Sequence, residues 1–99
     1  MAIIDAKGLI KGDRLRSCSD LARLWWLYLF LQANSFGRME LDYHQLIVRC
    51  CFKQPPSEEE FYTMMREYRA NWLGFLYEAP NGTVWCQWWA KDGSLPRYH

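Results

Sequence analysis

Eight consecutive residues, Leu24 to Leu31, form an unbroken apolar run between Arg23 and Gln32. A membrane span needs about 20 such residues, so the run reads as a core helix instead. Leu21, Leu24, Trp25 and Tyr28 recur at the i, i+3, i+4, i+7 spacing of one helical face. Trp26, Leu27, Leu29 and Phe30 fill the other faces. A helix apolar nearly all round is covered on most sides, which makes this one the expected central helix. Ser17 or Ser19 can cap its start, and the segment Asn34 to Gly37 stops it.

The remaining signals are more local. Asp42 can cap a second helix, with Gln45 three residues on in a variant of the capping box. Its buried stripe is Tyr43, Leu46, Ile47, Cys50 and Cys51, and Pro55-Pro56 ends the element. A third helix opens at Ser57 with Glu60 completing a capping box, and three glutamates suit the positive end of the helix dipole. Phe61, Met64, Met65, Tyr68 and Trp72 are its apolar stripe, and Asn71 and Gly74 end it. Phe75–Glu78 and Thr83–Trp89 then flank Pro80-Asn81-Gly82, and Asn-Gly between apolar runs is a strong hairpin signal. In the second strand Val84, Cys86 and Trp88 share one face, and Thr83, Trp85, Gln87 and Trp89 the other. Residues 1–16 read as an extended arm, with a short strand near Ile3-Ile4, and residues 91–99 as a polar tail.

The chain has 99 residues, enough for one domain over 1–99, and its 51% hydrophobic content excludes a disordered chain. No basic leader runs into an apolar segment at the start, so a secretory signal is not expected. Cys18, Cys50, Cys51 and Cys86 include an adjacent pair and lack the usual spacing of a zinc chelate. They fit buried thiols in a reducing cytoplasm. His44 and Cys51 lie seven apart on one helix, but nothing supplies the third group or the lowered thiol pKa that catalysis needs. Consecutive glutamates splay about 100° apart around a helix, so Glu58 to Glu60 make no metal cluster. The expectation is a protein that is not an enzyme, takes no cofactor, metal or small-molecule substrate, and does not enter a membrane.

Three helices followed by a hairpin define the expected fold class: mainly α with a small β-hairpin, an α+β winged helix-turn-helix of three helices plus a wing. Ser17-Cys18-Ser19-Asp20-Leu21-Ala22-Arg23-Leu24, then Phe36-Gly37-Arg38, Leu73-Gly74-Phe75-Leu76 and the Asn81-Gly82 turn follow one another in a recognisable order. In that order the chain resembles the N-terminal winged-helix domain of phage and prophage replication-initiation proteins, the DnaD-related replisome organisers. The resemblance covers roughly residues 8–98 and implies DNA binding in replication initiation or its regulation. Three glutamates at the start of the recognition helix depart from that pattern.

Phosphates repel carboxylates, and affinity depends on the phosphates that Lys and Arg neutralise. The formal net charge is only +1, so binding must come from a local patch. Residues 57–72 carry a net −2, while residues 1–16 carry +2. The third helix is therefore expected to meet DNA through its middle, by Tyr62, Arg66 and Arg69. Lys53 and Gln54 in the preceding turn, with Lys7, Lys11 and Arg14 in the arm, are the further candidate phosphate contacts. Duplex DNA is favoured over single-stranded DNA. The rival reading is a winged-helix interaction or oligomerisation module without DNA binding, forming a homodimer or meeting a replication protein through Trp85 and Trp89. Both tryptophans fall on the strand face expected to be wet, and exposed Trp is enriched at interface hot spots.

Overall fold

The computed structural model describes residues 13–50 and 53–89. Ile3-Ile4, Lys7, Lys11, Cys51 and the tail 91–99 lie outside them, as do the expectations that rest on them. Among the described residues the fold is α+β, with four helices and a three-stranded antiparallel sheet. The order is α1 (Asp13–Arg16), α2 (Asp20–Phe30), β1 (Arg38–Glu40), α3 (Tyr43–Cys50), α4 (Glu58–Ala70), β2 (Phe75–Glu78) and β3 (Val84–Gln87). Two elements correct the sequence reading. Asp13–Arg16 is one helical turn and not extended chain, and the hairpin gains a third strand, β1.

Local chemistry sets the helix starts. Ser19 caps α2, its hydroxyl accepting from the Ala22 N–H at 3.3 Å. Asp42 Oδ1 accepts from the Gln45 N–H ahead of α3. At α4 the capping box is complete: Ser57 Oγ accepts from Glu60 N at 3.1 Å, and Glu60 Oε1 accepts from Ser57 N at 3.0 Å. Each cap satisfies amide donors that the helix itself cannot pair, a contribution of about 1 kcal/mol apiece.

The end of α4 departs from expectation. Gly74 is not its left-handed residue; Trp72 is, at φ 59. Trp72 N donates to Arg69 O and Leu73 N to Tyr68 O, the paired bonds that close a helix through a left-handed residue. Gly74 serves close packing instead, since a Cβ there would sit 3.0 Å from Cys86 Sγ and 3.3 Å from the Trp88 ring. Trp72 is half-buried, so the buried stripe of α4 is Phe61, Met64, Met65 and Tyr68.

In the sheet, β3 lies between β1 and β2, and Met39, Cys86 and Leu76 form one row across all three strands. Met39 and Cys86 are buried and Leu76 packs against the same core. Residues of opposite parity, Arg38, Gln87 and Phe75, then Glu40, Trp85 and Tyr77, line the outer face. Aromatic rings join sheet to helices: Phe30 lies 4.8 Å from Trp26, 5.9 Å from Trp88 and 5.0 Å from Trp89, and Tyr68 lies 5.5 Å from Trp88. The Tyr68 hydroxyl donates to the Ala22 carbonyl at 2.5 Å, which locks α4 onto α2.

The central helix is corrected too. Its buried residues are Ala22, Trp25, Trp26, Leu29 and Phe30. Leu24 and Tyr28, expected in the core stripe, are exposed, as is Leu27. Among the described residues, α3 and α4 pack against α2, and Leu24, Leu27 and Tyr28 stand on its exposed side. No described helix is long and apolar enough to cross a membrane.

Candidate nucleic-acid interface

Helix α4 has one face in the core, one flank tied to α2 and one face in solvent. The tied flank is Glu67, whose carboxylate accepts from Ser19 N at 2.6 Å and Ser19 Oγ at 2.8 Å. This acid is therefore held at the start of α2, and among the described residues no arginine lies within 4.0 Å of it. The solvent face carries Glu59, Thr63 and Arg66, with Tyr62 and Arg69 beside them. Thr63 Oγ1 donates to the Glu59 carbonyl at 3.0 Å and accepts from Arg66 Nη2 at 3.3 Å. Arg66 and Arg69 are exposed, and among the described residues neither has a carboxylate within 4.0 Å.

Charge is sorted along this helix. Glu58, Glu59 and Glu60 occupy the first turn, Arg66 and Arg69 the second half. At 1.5 Å rise per residue, Glu59 and Arg66 are about 10 Å apart along the axis. That is more than the Debye length of about 8 Å at physiological salt, so solvent screens the first-turn carboxylates from the guanidiniums. Tyr62, Arg66 and Arg69 fall at i, i+4, i+7 on one strip, as the sequence reading placed them together. Tyr62, however, is half-buried and borders an open cleft of about 440 Å³ that also takes in Glu40, Asp42, His44, Glu58 and the turn at Asn81. The N-terminal end of the strip is thus acidic and the C-terminal end basic.

The other candidates lie on other elements. Lys53 and Gln54 are exposed in the connection between α3 and α4, just ahead of Pro55-Pro56. Arg14 is half-buried, and its Nη1 donates to the Trp72 carbonyl at 2.8 Å. That bond fastens α1 to the end of α4. Trp85 is half-buried on the outer face of the sheet, beside Tyr77 and Glu40. Trp89 is a correction: it is 8% exposed. The strand ends at Gln87, so alternation does not carry on to Trp89, whose ring turns inward onto Phe30 and Gly37.

Cys18, Cys50 and Cys86 are buried. Burial, with Glu67 adding to it and Arg23 opposing, pushes the Cys18 thiol up to about 11. Burial also drives Cys86 and Tyr68 strongly upward, so both stay protonated. The stripe Leu21, Leu24, Trp25 and Tyr28 misassigned the exposed side of α2, because apolar residues on every face leave several such stripes equally open.

Compared with protein-family models, with curated proteins and with solved structures, the chain matches none of them.

Proposed function

We propose that this chain is a winged-helix domain that binds duplex DNA, with α4 as the recognition helix and the β2–β3 hairpin as the wing. The element order α2–β1–α3–α4–β2–β3, with β3 central in the sheet, supports that architecture. The observation that carries the function is the exposed pair Arg66 and Arg69 on the outer face of α4, with no carboxylate within 4.0 Å among the described residues. Phosphates would meet these guanidiniums at the C-terminal half of the helix, while Glu58 and Glu59 keep its N-terminal end away from the backbone. Lys53 and Gln54 are accessible for further backbone contacts, which position a domain without reading sequence. The replication-initiation context rests on the resemblance carried by residues 17–24, 36–38, 73–76 and 81–82. Catalysis has no place in this reading, and buried cysteines such as Cys18 and Cys86 suit a reducing compartment.

Fluorescence anisotropy of a labelled duplex at low ionic strength tests the proposal. Binding is expected for the native chain and lost in the Arg66→Glu, Arg69→Glu double variant. Absence of binding by the native chain, or binding that survives both charge reversals, would overturn it.

A further inference from the structure

The turn of the β2–β3 hairpin and the first turn of α4 border the same open cleft, with Asn81 and Thr83 on the hairpin side and Glu58 on the helix. Glu40 at the end of β1 and Asp42 just beyond it line the cleft as well, and no Lys or Arg does. The hairpin itself brings no cation. Between residues 75 and 89 the one charged side chain is Glu78. Its Oε1 lies 3.9 Å from the position that a Cβ would take on Gly82, so this carboxylate sits against the turn.

Four carboxylates therefore stand around the hairpin turn: Glu78 on the strand leading into it, and Glu40, Asp42 and Glu58 along the cleft beside it. Among the described residues none of them has a Lys, Arg or His nitrogen within 4.0 Å. Nor does any group of three acidic, His or Cys side chains among those residues converge as a metal site would. Their effect is that of a local negative field.

Such a field acts over about a Debye length, roughly 8 Å at physiological salt and several times that at low salt. A phosphate drawn up to the turn enters the range of Glu78 and of the cleft carboxylates together. The hairpin has no Lys or Arg to offset the repulsion, and phosphate affinity depends on such neutralisation. Arg66 lies eight residues beyond Glu58, about 12 Å along the axis of α4, and Arg69 lies farther still. The attractive and repulsive ends of this face are thus separated by more than the screening length.

We infer that Glu40, Asp42, Glu58 and Glu78 exclude the sugar–phosphate backbone from the wing, so that a duplex is held through the C-terminal half of α4 while the wing tip stands off. This rests on the DNA-binding reading and deepens it. The four acids determine how much backbone the domain covers, and the wing of this chain orders the fold without gripping the nucleic acid.

Fluorescence anisotropy of the full chain with a labelled duplex across a salt series tests the inference. Glu40→Gln, Glu58→Gln and Glu78→Gln in one chain remove three exposed charges and leave Asp42, which caps α3, in place. For charges about 8 Å from a phosphate at low ionic strength, the triple variant should bind roughly 5–10-fold more tightly than the native chain. Pro80→Lys, exposed in the turn, reports whether a phosphate stands there. In the native background it should leave the slope of log K against log salt concentration unchanged, and in the triple variant it should steepen that slope by about 0.9. A triple variant that binds no more tightly than the native chain overturns the inference and leaves binding through α4 standing. So does a Pro80→Lys slope already steeper by about 0.9 in the native background. Binding by neither the native chain nor the triple variant overturns the DNA-binding reading and this inference with it.

Discussion

Replacing Gly37 by Ala should damage this fold far more than the same change at Gly82, and the gap between the two is a direct test of the packing described above. Gly37 has φ +78 and leads into β1. A Cβ at that position would lie 2.5 Å from the Trp89 carbonyl oxygen and 2.9 Å from two atoms of its indole ring. Three losses follow. Forcing an L-residue into the left-handed region costs about 1 kcal/mol. Displacing Trp89 disturbs its ring contact with Phe30, worth about 1 kcal/mol. The Trp88 N–H bond to the Gly37 carbonyl, 2.7 Å long, is strained by the same movement, for about 1 kcal/mol more. Together they amount to about 3 kcal/mol, or a fall of about 15 °C in Tm for a domain of this size. Gly82 has a similar φ of +86, but a Cβ there meets only Glu78 Oε1 at 3.9 Å. Gly82→Ala should therefore cost the backbone part alone, about 1 kcal/mol. Urea unfolding followed by tryptophan fluorescence measures both. Equal destabilisation of the two variants would refute the claim that Trp89 is packed over Gly37.

Two further perturbations follow from the helix junction and from the buried thiols. Ser19→Ala removes both the cap of α2 and the hydroxyl that donates to Glu67, and should cost about 1–2 kcal/mol in thermal unfolding. Glu67→Gln should cost less, because an amide oxygen still accepts from Ser19. For pH, the folded Cys18 thiol is raised from 9.0 to about 11, so the unfolded chain ionises first. Its stabilising contribution is complete below pH 9 and is lost as pH rises toward 11, with Cys86 and Tyr68 shifted in the same direction. Urea midpoints should be flat up to pH 8.5 or so and fall beyond 9, and Cys18→Ala should make that fall shallower.

The parts legible in the sequence were those whose cause is local. Ser19 and Ser57 cap their helices because a hydroxyl reaches an amide three residues ahead. Phe61, Met64, Met65 and Tyr68 recur on one face, with polar residues marking the other. Asn81-Gly82 makes the turn by its own backbone preference. What escaped reading has a non-local cause. Arg38-Met39-Glu40 shows no strand pattern over three residues and becomes β1 because β3 offers it a pairing edge. Leu24 and Tyr28 are indistinguishable in sequence from Trp25 and Leu29, and only the placement of α3, α4 and the sheet decides which side of α2 is covered. Trp89 was misplaced by extending strand alternation past Gln87, where pairing stops. At the candidate interface, the strip Tyr62, Arg66 and Arg69 was legible from spacing. The capture of Glu67 by Ser19 and of Arg14 by the Trp72 carbonyl was not, because each joins residues far apart in the chain.

The proposal that α4 meets phosphates through Arg66 and Arg69 is tested most directly by the salt dependence of duplex binding. Each phosphate neutralised contributes about 0.9 to the slope of log K against log salt concentration on B-form DNA. The native chain should show a steep negative slope, and the Arg66→Ala, Arg69→Ala variant a slope shallower by about 1.8. An identical slope in both proteins would contradict the account.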